Sequence, residues 1–363
     1  MIVEKLELKN FRNYENLEME FSPDINILYG DNAQGKTNIL EAIYLCSTTK
    51  SYKGSKEKDM VKLGKDEAHL RMYIKKNGIS HKTDMHLKLQ GKKGVAVDGI
   101  PIKKSSDIYG LVNVIFFSPE DLSMIKNGPA ERRKFMDAEL SQINRLYLQY
   151  LSRYNKILEQ RNDLLKQLNV RRDLIDTLDV WDSQLTEYGS YIIDARQQFI
   201  NDIDYLVKDI HSDISGGKEI LSCKYEPNIS KENFKDKLLK SREKDIYAKS
   251  TNVGPHRDDI AFFIGDENIK LYGSQGQQRT VALSLKLAEI ELVKKKTGDN
   301  PILLLDDVLS ELDRNRQHCL LDFINDIQTV ITCTGLEEFV RNRSRINNLY
   351  KVTNGTTEKI TSL

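Results

Sequence analysis

The sequence predicts an α/β protein with a mixed sheet core, an accessory antiparallel sheet and an inserted helical lobe. Three features lead to this prediction. Residues 25–46 have the pattern of a strand, a glycine-rich loop and a helix. Residues 302–333 have the pattern strand, helix, strand, which favours parallel pairing. Between these ends, residues 129–208 contain little glycine or proline and carry apolar residues at helical spacing.

The N-terminal part is predicted to be rich in strands, with one helix over residues 36–46. The β-prone runs are 2–8, 25–29, 69–74, 83–89, 95–97 and 112–117. The dipeptides Asn77-Gly78 and Asp98-Gly99 follow β-prone runs and favour tight hairpin turns. We therefore expect residues 69–97 to form the accessory antiparallel sheet.

Two or three long packed helices are expected from about 129 to 208, and Ser215-Gly216-Gly217 should end them. The later predicted elements are a strand at 220–225, helices at 231–244, 275–296 and 314–327, and strands at 302–305 and 329–333. The predicted domains are thus a discontinuous lobe I, residues 1–120 and 246–363, and a mainly helical lobe II, residues 121–245.

Composition excludes several classes of protein. Lys and Arg total 55 against 54 Asp and Glu, so only a local patch could attract nucleic acid or an anionic membrane. The 4 cysteines form no C-x-x-C pair, which argues against a zinc or disulfide framework. The first residues lack the pattern of a signal peptide, and the longest apolar runs are too short to span a bilayer. We expect a cytoplasmic protein with no membrane association.

A phosphate-binding loop is the strongest motif, Gly-x-x-x-x-Gly-Lys-Thr between a strand and a helix. Its residues are Gly30, Asp31, Asn32, Ala33, Gln34, Gly35, Lys36 and Thr37, and Asn38 follows as a further predicted nucleotide ligand. Backbone N–H groups of such a loop hold phosphate oxygens, Lys36 would bridge the β- and γ-phosphates, and Thr37 would supply a hydroxyl to Mg²⁺. The motif predicts binding of ATP and Mg²⁺.

Two acids end the apolar run at 301–307. Such a run is typical of a parallel strand buried on both faces, and ligands bind at the carboxyl ends of these strands. Asp306 would hold Mg²⁺, and Asp307 would orient or deprotonate the attacking water. Alone, the pair could be two acids in an exposed turn; together with Lys36 it predicts catalysis.

A second glycine motif, Ser274-Gln275-Gly276-Gln277-Gln278-Arg279, precedes an amphipathic helical pattern. Ser274 has the features of a helix N-cap, and Gly276 would let the backbone approach a ligand closely. An ordinary helix cap would give the same local pattern. The position of the motif, about thirty residues before the acidic strand end, favours a nucleotide contact by Ser274, Gly276 and Gln277.

The ordered set of motifs resembles the ABC-type ATPase head, with Ser310-Glu311-Leu312-Asp313 as its D-loop. The resemblance implies that the signature at Ser274 of one subunit caps the γ-phosphate held by another subunit, so that ATP holds a homodimer together. Two departures stand out. The base position is Asp307 rather than Glu, which suggests slow turnover, and the usual switch-loop histidine position falls among Thr332, Cys333 and Thr334. There is also no clear Gln-loop glutamine near residues 118–121.

Further motifs resemble the RecF family over nearly the whole chain. They are Leu8-Lys9-Asn10-Phe11-Arg12-Asn13-Tyr14, Thr48-Thr49-Lys50-Ser51-Tyr52, Phe117-Ser118-Pro119-Glu120-Asp121-Leu122, Gly128-Pro129 with Arg132-Arg133, Phe135 and Asp137, and Gly254-Pro255-His256-Arg257-Asp258-Asp259. This resemblance implies a recombination mediator: an ATP-dependent dimer that binds duplex DNA at single-strand gap junctions and loads RecA with RecO and RecR. It also implies that Arg12 and Asn13 lie near the nucleotide.

DNA contacts are sought among basic clusters, with Lys50, Lys53, Arg132 and Arg133 as candidates. Most such clusters are solvated surface. Because the net charge is near zero, the favoured hypothesis is a DNA groove that forms only when two subunits close. His256 could be catalytic, or a turn histidine bonded to Asp258 or Asp259. The alternative function is the nucleotide-binding subunit of an ABC transporter.

Overall fold

The structure is a computed structural model that describes residues 1–168, 170–335 and 346–360. The chain divides into two compact units, Met1–Leu122 with Glu289–Leu363, and Ser123–Ala288. The helices are α1 (Lys36–Thr48), α2 (Pro119–Leu122), α3 (Pro129–Ile143), α4 (Arg145–Gln167), α5 (Leu178–Ser215), α6 (Lys231–Lys240), α7 (Arg242–Ala248), α8 (Ile269–Tyr272), α9 (Gln275–Thr297) and α10 (Arg314–Phe323). Among the described residues, no helix combines the length and apolar character that a membrane span needs.

The strands of the described residues fall into three sheets. They are β1 (Ile2–Phe11), β2 (Tyr14–Glu20), β3 (Ile25–Tyr29), β4 (Glu67–Lys76), β5 (Ile79–Lys88), β6 (Gly94–Val97), β7 (Ile100–Pro101), β8 (Val114–Phe117), β9 (Leu221–Glu226), β10 (Asp259–Ile264), β11 (Glu267–Asn268), β12 (Ile302–Asp306), β13 (Thr329–Cys333), β14 (Ile346–Thr353) and β15 (Thr356–Ile360).

The first unit contains two of these sheets. One is antiparallel in the order β2-β1-β4-β5-β6-β7. The other has the order β15-β14-β3-β13-β12-β8, in which β15 is antiparallel and the other neighbours are parallel. This arrangement confirms the predicted mixed sheet core and accessory antiparallel sheet. Asn77 and Asp98 have the positive φ angles expected at their hairpin turns.

Burial explains why the mixed sheet has its strands in these positions. Every residue of β8, β12 and β13 is buried, which fits the apolar runs in the sequences of β8 and β12. Helix α1 contacts strands of both sheets, and its residues Ile39 and Ile43 belong to the same core cluster as Leu70 and Leu304. Full burial of one such side chain stabilises the fold by about 1.5–3 kcal/mol, so α1 and the loop before it are firmly held.

The second unit is mainly helical, with α3, α4 and α5 as the long helices expected from the periodicity. Its sheet has the order β11-β10-β9. Buried arginines are paired with carboxylates, as burial of a charge requires: Arg161 bonds Asp182 and Asp245, and Arg196 bonds Asp258. The predicted helix over 231–244 is divided into α6 and α7 at Ser241, whose hydroxyl bonds the Leu238 carbonyl and Asp245.

The boundary of the second unit lies at 288/289, whereas the predicted lobe I resumes at 246. The difference has a physical reason, because β10 and β11 pair with β9 and so hold residues 259–268 in the second unit. The predicted division into lobes of residues 1–120 with 246–363 and residues 121–245 stays a prediction.

Candidate nucleotide-binding site

The loop between β3 and α1 adopts conformations that favour glycine. Gly30 has φ 149° and Gly35 has φ 112°. A Cβ atom at Gly30 would lie 2.4 Å from the Val352 carbonyl oxygen, and one at Gly35 would lie 2.4 Å from the Asn13 amide nitrogen. The backbone conformation disfavours a side chain at both positions, and at Gly30 the close backbone contact excludes one. A glycine loop that leads into a helix N-terminus is the arrangement in which proteins bind phosphate through backbone N–H groups.

Lys36 closes over this loop from the first turn of α1. Its ammonium nitrogen lies 2.5 Å from the Gly30 carbonyl oxygen and 2.8 Å from that of Asp31. The side chain is largely buried. An ammonium group has three hydrogens, so Lys36 can hold both carbonyls and still donate to a phosphate oxygen.

Asparagine side chains and a distant turn brace the loop. Asn13 donates to the Gln34 carbonyl at 2.8 Å and accepts a bond from Asn38 at 2.8 Å. The backbone N–H groups of Asn354 and Gly355 donate to the side chain and the carbonyl of Gln34. The structure thus brings Asn13 and Asn38 together beside the loop, and their contact with the nucleotide stays a prediction. The turn at 354–355 was missed, although its Asn-Gly pair between β-prone residues is a hairpin signal.

Asp306 lies at the end of β12 and contacts the predicted metal ligand of α1. The Thr37 hydroxyl donates to Asp306 Oδ1 at 2.7 Å, and the Thr332 hydroxyl of β13 donates to the same oxygen at 2.8 Å. A hydroxyl and a carboxylate are oxygen ligands of the kind that Mg²⁺ prefers, so Thr37 and Asp306 fit this ion. Mg²⁺ held by them would neutralise charge on the β- and γ-phosphates.

Asp307, the next residue, is held in a strained conformation. Its φ is 55°, and its backbone N–H donates to the Thr332 hydroxyl at 2.9 Å. Burial raises the pKa of the Asp307 carboxyl, while the Lys36 ammonium acts in the opposite direction. A raised pKa makes the carboxylate a stronger base, which suits the predicted role. Thr332, from the region where the sequence left the switch position open, therefore orders both acids.

Arg12 forms an ion pair with a buried acid of α1. Its guanidinium bonds both carboxylate oxygens of the buried Glu41 at 2.8 and 2.9 Å. It also bonds the Ser55 hydroxyl and the Asp59 carbonyl, and Ser51 donates to Glu41. These bonds use all three nitrogens of Arg12. The Arg12 side chain thus ties residues 51–59 to α1, and a nucleotide contact by Arg12 stays a prediction.

The Gly-Gln motif begins α9 in the second unit. The Ser274 hydroxyl accepts a bond from the Gln277 N–H at 3.2 Å, and the Gln277 side chain accepts one from the Ser274 N–H at 2.9 Å. This reciprocal pair is a capping box, and Ser274 is the N-cap that the sequence predicted. Ser274, Gln275 and Gly276 are exposed. The Ser274 hydroxyl accepts the capping bond, so its hydrogen can be donated to a ligand.

Lysines from two separate segments of the first unit line one cavity of about 560 Å³, which we call the lysine cavity. These lysines are Lys50, Lys56, Lys58, Lys88 and Lys93. The lining acid Glu57 is 2.7 Å from the Lys93 ammonium. Sequence reasoning identified Lys50 but missed Lys88 and Lys93, which only the folded sheet brings close. The ammonium of the candidate Lys53 instead lies 5.4 Å from the centre of the Tyr52 ring.

The two arginine candidates for DNA contact, Arg132 and Arg133, both bond residues of the second unit. Arg132 is 0% exposed. Its guanidinium bonds both oxygens of Asp259 and the carbonyl of Asn127, so a DNA contact by Arg132 is incompatible with this structure. Arg133 is half-buried and donates to the Asp258 carbonyl.

His256 also bonds residues of the second unit. One ring nitrogen bonds the Tyr154 hydroxyl at 2.7 Å, and the other bonds the Thr251 carbonyl at 3.0 Å. Burial lowers the pKa of His256 to about 4. The predicted bond to Asp258 or Asp259 was therefore wrong, because Asp258 bonds Arg196 and Asp259 bonds Arg132.

Known proteins share this sequence and this fold. The model of the family described as RecF/RecN/SMC N terminal domain matches residues 2–358. The "DNA replication and repair protein RecF" of Lachnoclostridium phytofermentans is 61% identical over 99% of this chain and 100% of its own length. The chain belongs to the RecF family. Its relative of the same name in Agathobacter rectalis is 57% identical over 99% of both chains.

Solved structures of the RecF family agree with the fold. The structure titled "recombination mediator protein RecF-ATPrS in RecFOR pathway" has a TM-score of 0.92 at 36% identity and covers 99% of this chain and 98% of its own. The corresponding RecF-ATP structure has a TM-score of 0.90 at 36% identity, covering 99% and 97%. An Smc head bound to ScpA shares the fold alone, with a TM-score of 0.58 at 16% identity, covering 99% and 97%. Membership of this family supports the inference that the chain is an ATP-binding ATPase of the RecF and SMC type.

Proposed function

We propose that this chain is an ATP-dependent, DNA-binding recombination mediator in the cytoplasm. ATP binding drives homodimerisation on duplex DNA at single-strand gap junctions, and slow hydrolysis releases the dimer. In this role it supports RecA loading with RecO and RecR during repair and replication restart. The similar RecF structures are described as part of the RecFOR pathway, and this description supports the assignment. Their name as replication and repair proteins disfavours a transporter subunit.

The observation that carries the proposal is the exposed, capped N-terminus of α9. A helix N-terminus favours an anion, and Ser274 keeps a hydrogen to donate to it. In the proposed dimer this end of α9, with Gly276 and Gln277, contacts the γ-phosphate held by the loop at 30–37 of the other chain. Both chains then contact the same ATP molecule, and hydrolysis removes the γ-phosphate that joins them.

The proposed hydrolytic step uses groups of both chains. Lys36 stabilises charge on the β- and γ-phosphates, and the Ser274 hydroxyl of the other chain donates to the γ-phosphate. Asp307 accepts the proton of the attacking water, helped by the raised pKa of its carboxyl. Asp is one methylene shorter than Glu, so Asp307 reaches the water less well and turnover is slow.

The lysine cavity is the DNA site that we propose in the first unit. Lys93 neutralises Glu57, and the other four lysines can face phosphates of one backbone. The near-zero net charge of the chain means that this local patch must supply the attraction. Two copies held by ATP would present two such cavities, so DNA binding should depend on ATP through avidity.

A salt titration of DNA binding tests this function. The double variant Lys50→Ala/Lys88→Ala should lower the slope of log K against log salt concentration by about 2 for each bound chain. Lys75→Ala, an exposed lysine of β4 outside the cavity, is the matched control and should leave the slope unchanged. Equal duplex binding with and without ATP would contradict the proposed coupling, and an unchanged slope in the double variant would contradict the proposed site.

A further inference from the structure

A histidine pair and a glutamate lie together on the antiparallel sheet of the first unit, outside the nucleotide site. His69 of β4 is directly opposite His86 of β5 in the strand register. Their rings stack with centroids 4.2 Å apart and an interplanar angle of 18°. Glu67 precedes His69 by two residues and therefore points to the same face of the sheet.

The donor atoms of these three side chains converge on one point. The Nε2 atom of His69 lies 3.2 Å from one Glu67 oxygen, and that of His86 lies 2.7 Å from the other. One ligand atom from each residue can be chosen so that all three lie within 4.8 Å of one another. The side chains of Glu67, His69 and His86 are 51%, 47% and 31% exposed, so an ion can reach them from solvent. Gly94 of β6 stands opposite His86 and adds no side chain there.

We propose that Glu67, His69 and His86 form a surface binding site for a divalent transition metal ion of the zinc class. Two imidazoles and one carboxylate are a ligand set that zinc uses, and a water molecule completes the coordination. Mg²⁺ and Ca²⁺ prefer oxygen ligands, so the same residues should discriminate against them.

Neighbouring charges set the strength of this site. Lys9 of β1 stands opposite His69, and Lys88 of β5 stands opposite Glu67. Both ammonium groups repel a cation. We therefore expect zinc to bind more weakly here than in a closed structural site, and a bound ion would join β4 to β5.

Calorimetric titration of the full chain with Zn²⁺ tests the proposal. The wild type should bind one ion at this site, and His69→Ala, His86→Ala and Glu67→Gln should each weaken binding at least about tenfold, because even outer-shell changes around bound metals cost this much. His81→Ala is the matched control: His81 also bonds an acid, Asp98, but has no second histidine, and zinc binding should not change. Mg²⁺ should give no competition.

Cobalt spectra separate this site from a thiol site, since Cys319 carries a half-buried thiol. Co²⁺ held by His69, His86 and Glu67 should give visible absorption without a thiolate charge-transfer band. Loss of zinc binding in Cys319→Ser together with retention in His69→Ala would overturn the proposal. Far-UV circular dichroism of each variant checks folding, and unchanged zinc binding by a folded His86→Ala protein would equally refute the site.

Discussion

Thr332→Val is the substitution that most directly tests how the two acids are held. The Thr332 side chain is 1% exposed. Its hydroxyl donates to Asp306 Oδ1 at 2.8 Å and accepts the Asp307 N–H at 2.9 Å. Valine has nearly the same shape, so the change removes two hydrogen bonds with little effect on packing.

The expected loss follows from the charge on Asp306. A hydrogen bond to a charged group contributes about 1.5–3 kcal/mol. If that energy positions Asp306 in the transition state, ATP turnover should fall about ten- to a hundredfold, at about 1.4 kcal/mol for each factor of ten. The Asp307 N–H loses its partner as well, at a cost in folding stability of about 1–3 kcal/mol. ATP affinity should change much less, because the loop at 30–37 keeps its contacts.

Thr329→Val is the matched control on the same strand. Thr329 is 0% exposed, and its hydroxyl donates to the neutral Ile327 carbonyl at 3.0 Å. This variant should lose about 0.5–1.5 kcal/mol of stability and keep its turnover. Turnover is measured by phosphate release at saturating ATP, and stability by urea unfolding. Wild-type turnover in Thr332→Val, or an equal fall in Thr329→Val, would refute this role of Thr332.

Two further predictions concern a turn and a histidine. Gly355→Ala should weaken ATP binding, which is measured with a fluorescent nucleotide. At this position φ is +75°, and the new Cβ would lie 2.8 Å from the Asn13 carbonyl oxygen. Gly64→Ala is the control, because Gly64 has φ +82° but open space around it, so this change should lower only the stability of the fold. If both variants bind ATP equally, the 354–355 turn does not brace the loop. The folded chain keeps His256 neutral to about pH 4, whereas the unfolded chain protonates it near pH 6.5. The free energy of unfolding should therefore fall by up to about 3 kcal/mol as pH drops from about 6.5 to 4, and His256→Gln should flatten this dependence in urea unfolding. An identical pH dependence in the variant would show that His256 is not responsible.

Local sequence patterns predicted much of the fold. Apolar runs identified β8 and β12, and the Asn77-Gly78 and Asp98-Gly99 turns placed two hairpins of the antiparallel sheet. Strand β10 was missed because it follows directly on the Gly254-Pro255 motif, whose turn character dominated that region. The C-terminal hairpin of β14 and β15 was also missed, although its Asn354-Gly355 turn carries the usual signal.

The candidate site divides in the same way. Three features of the site are each formed by residues that are neighbours in the chain: the loop at 30–37, the strand end at Asp306 and the helix cap at Ser274. Their sequence motifs therefore appear directly as local structure. Arg12 and Arg132 could not be placed in this way, because the acids that bind them, Glu41 and Asp259, are distant in sequence. These acids compete with nucleotide or DNA for the guanidinium groups. A pattern of basic residues cannot show which arginines are buried in ion pairs. Only the fold distinguishes them from the exposed lysines of the lysine cavity.

The central claim is that ATP joins two copies of this chain through the loop at 30–37 and the signature at Ser274. Light scattering of the wild type, Lys36→Met and Ser274→Arg, each with and without ATP, measures this directly. The wild type should have the mass of two chains only with ATP. Lys36→Met should remain a monomer because it binds nucleotide poorly, and Ser274→Arg should bind ATP yet remain a monomer. A dimer that forms without ATP in all three proteins would contradict the account.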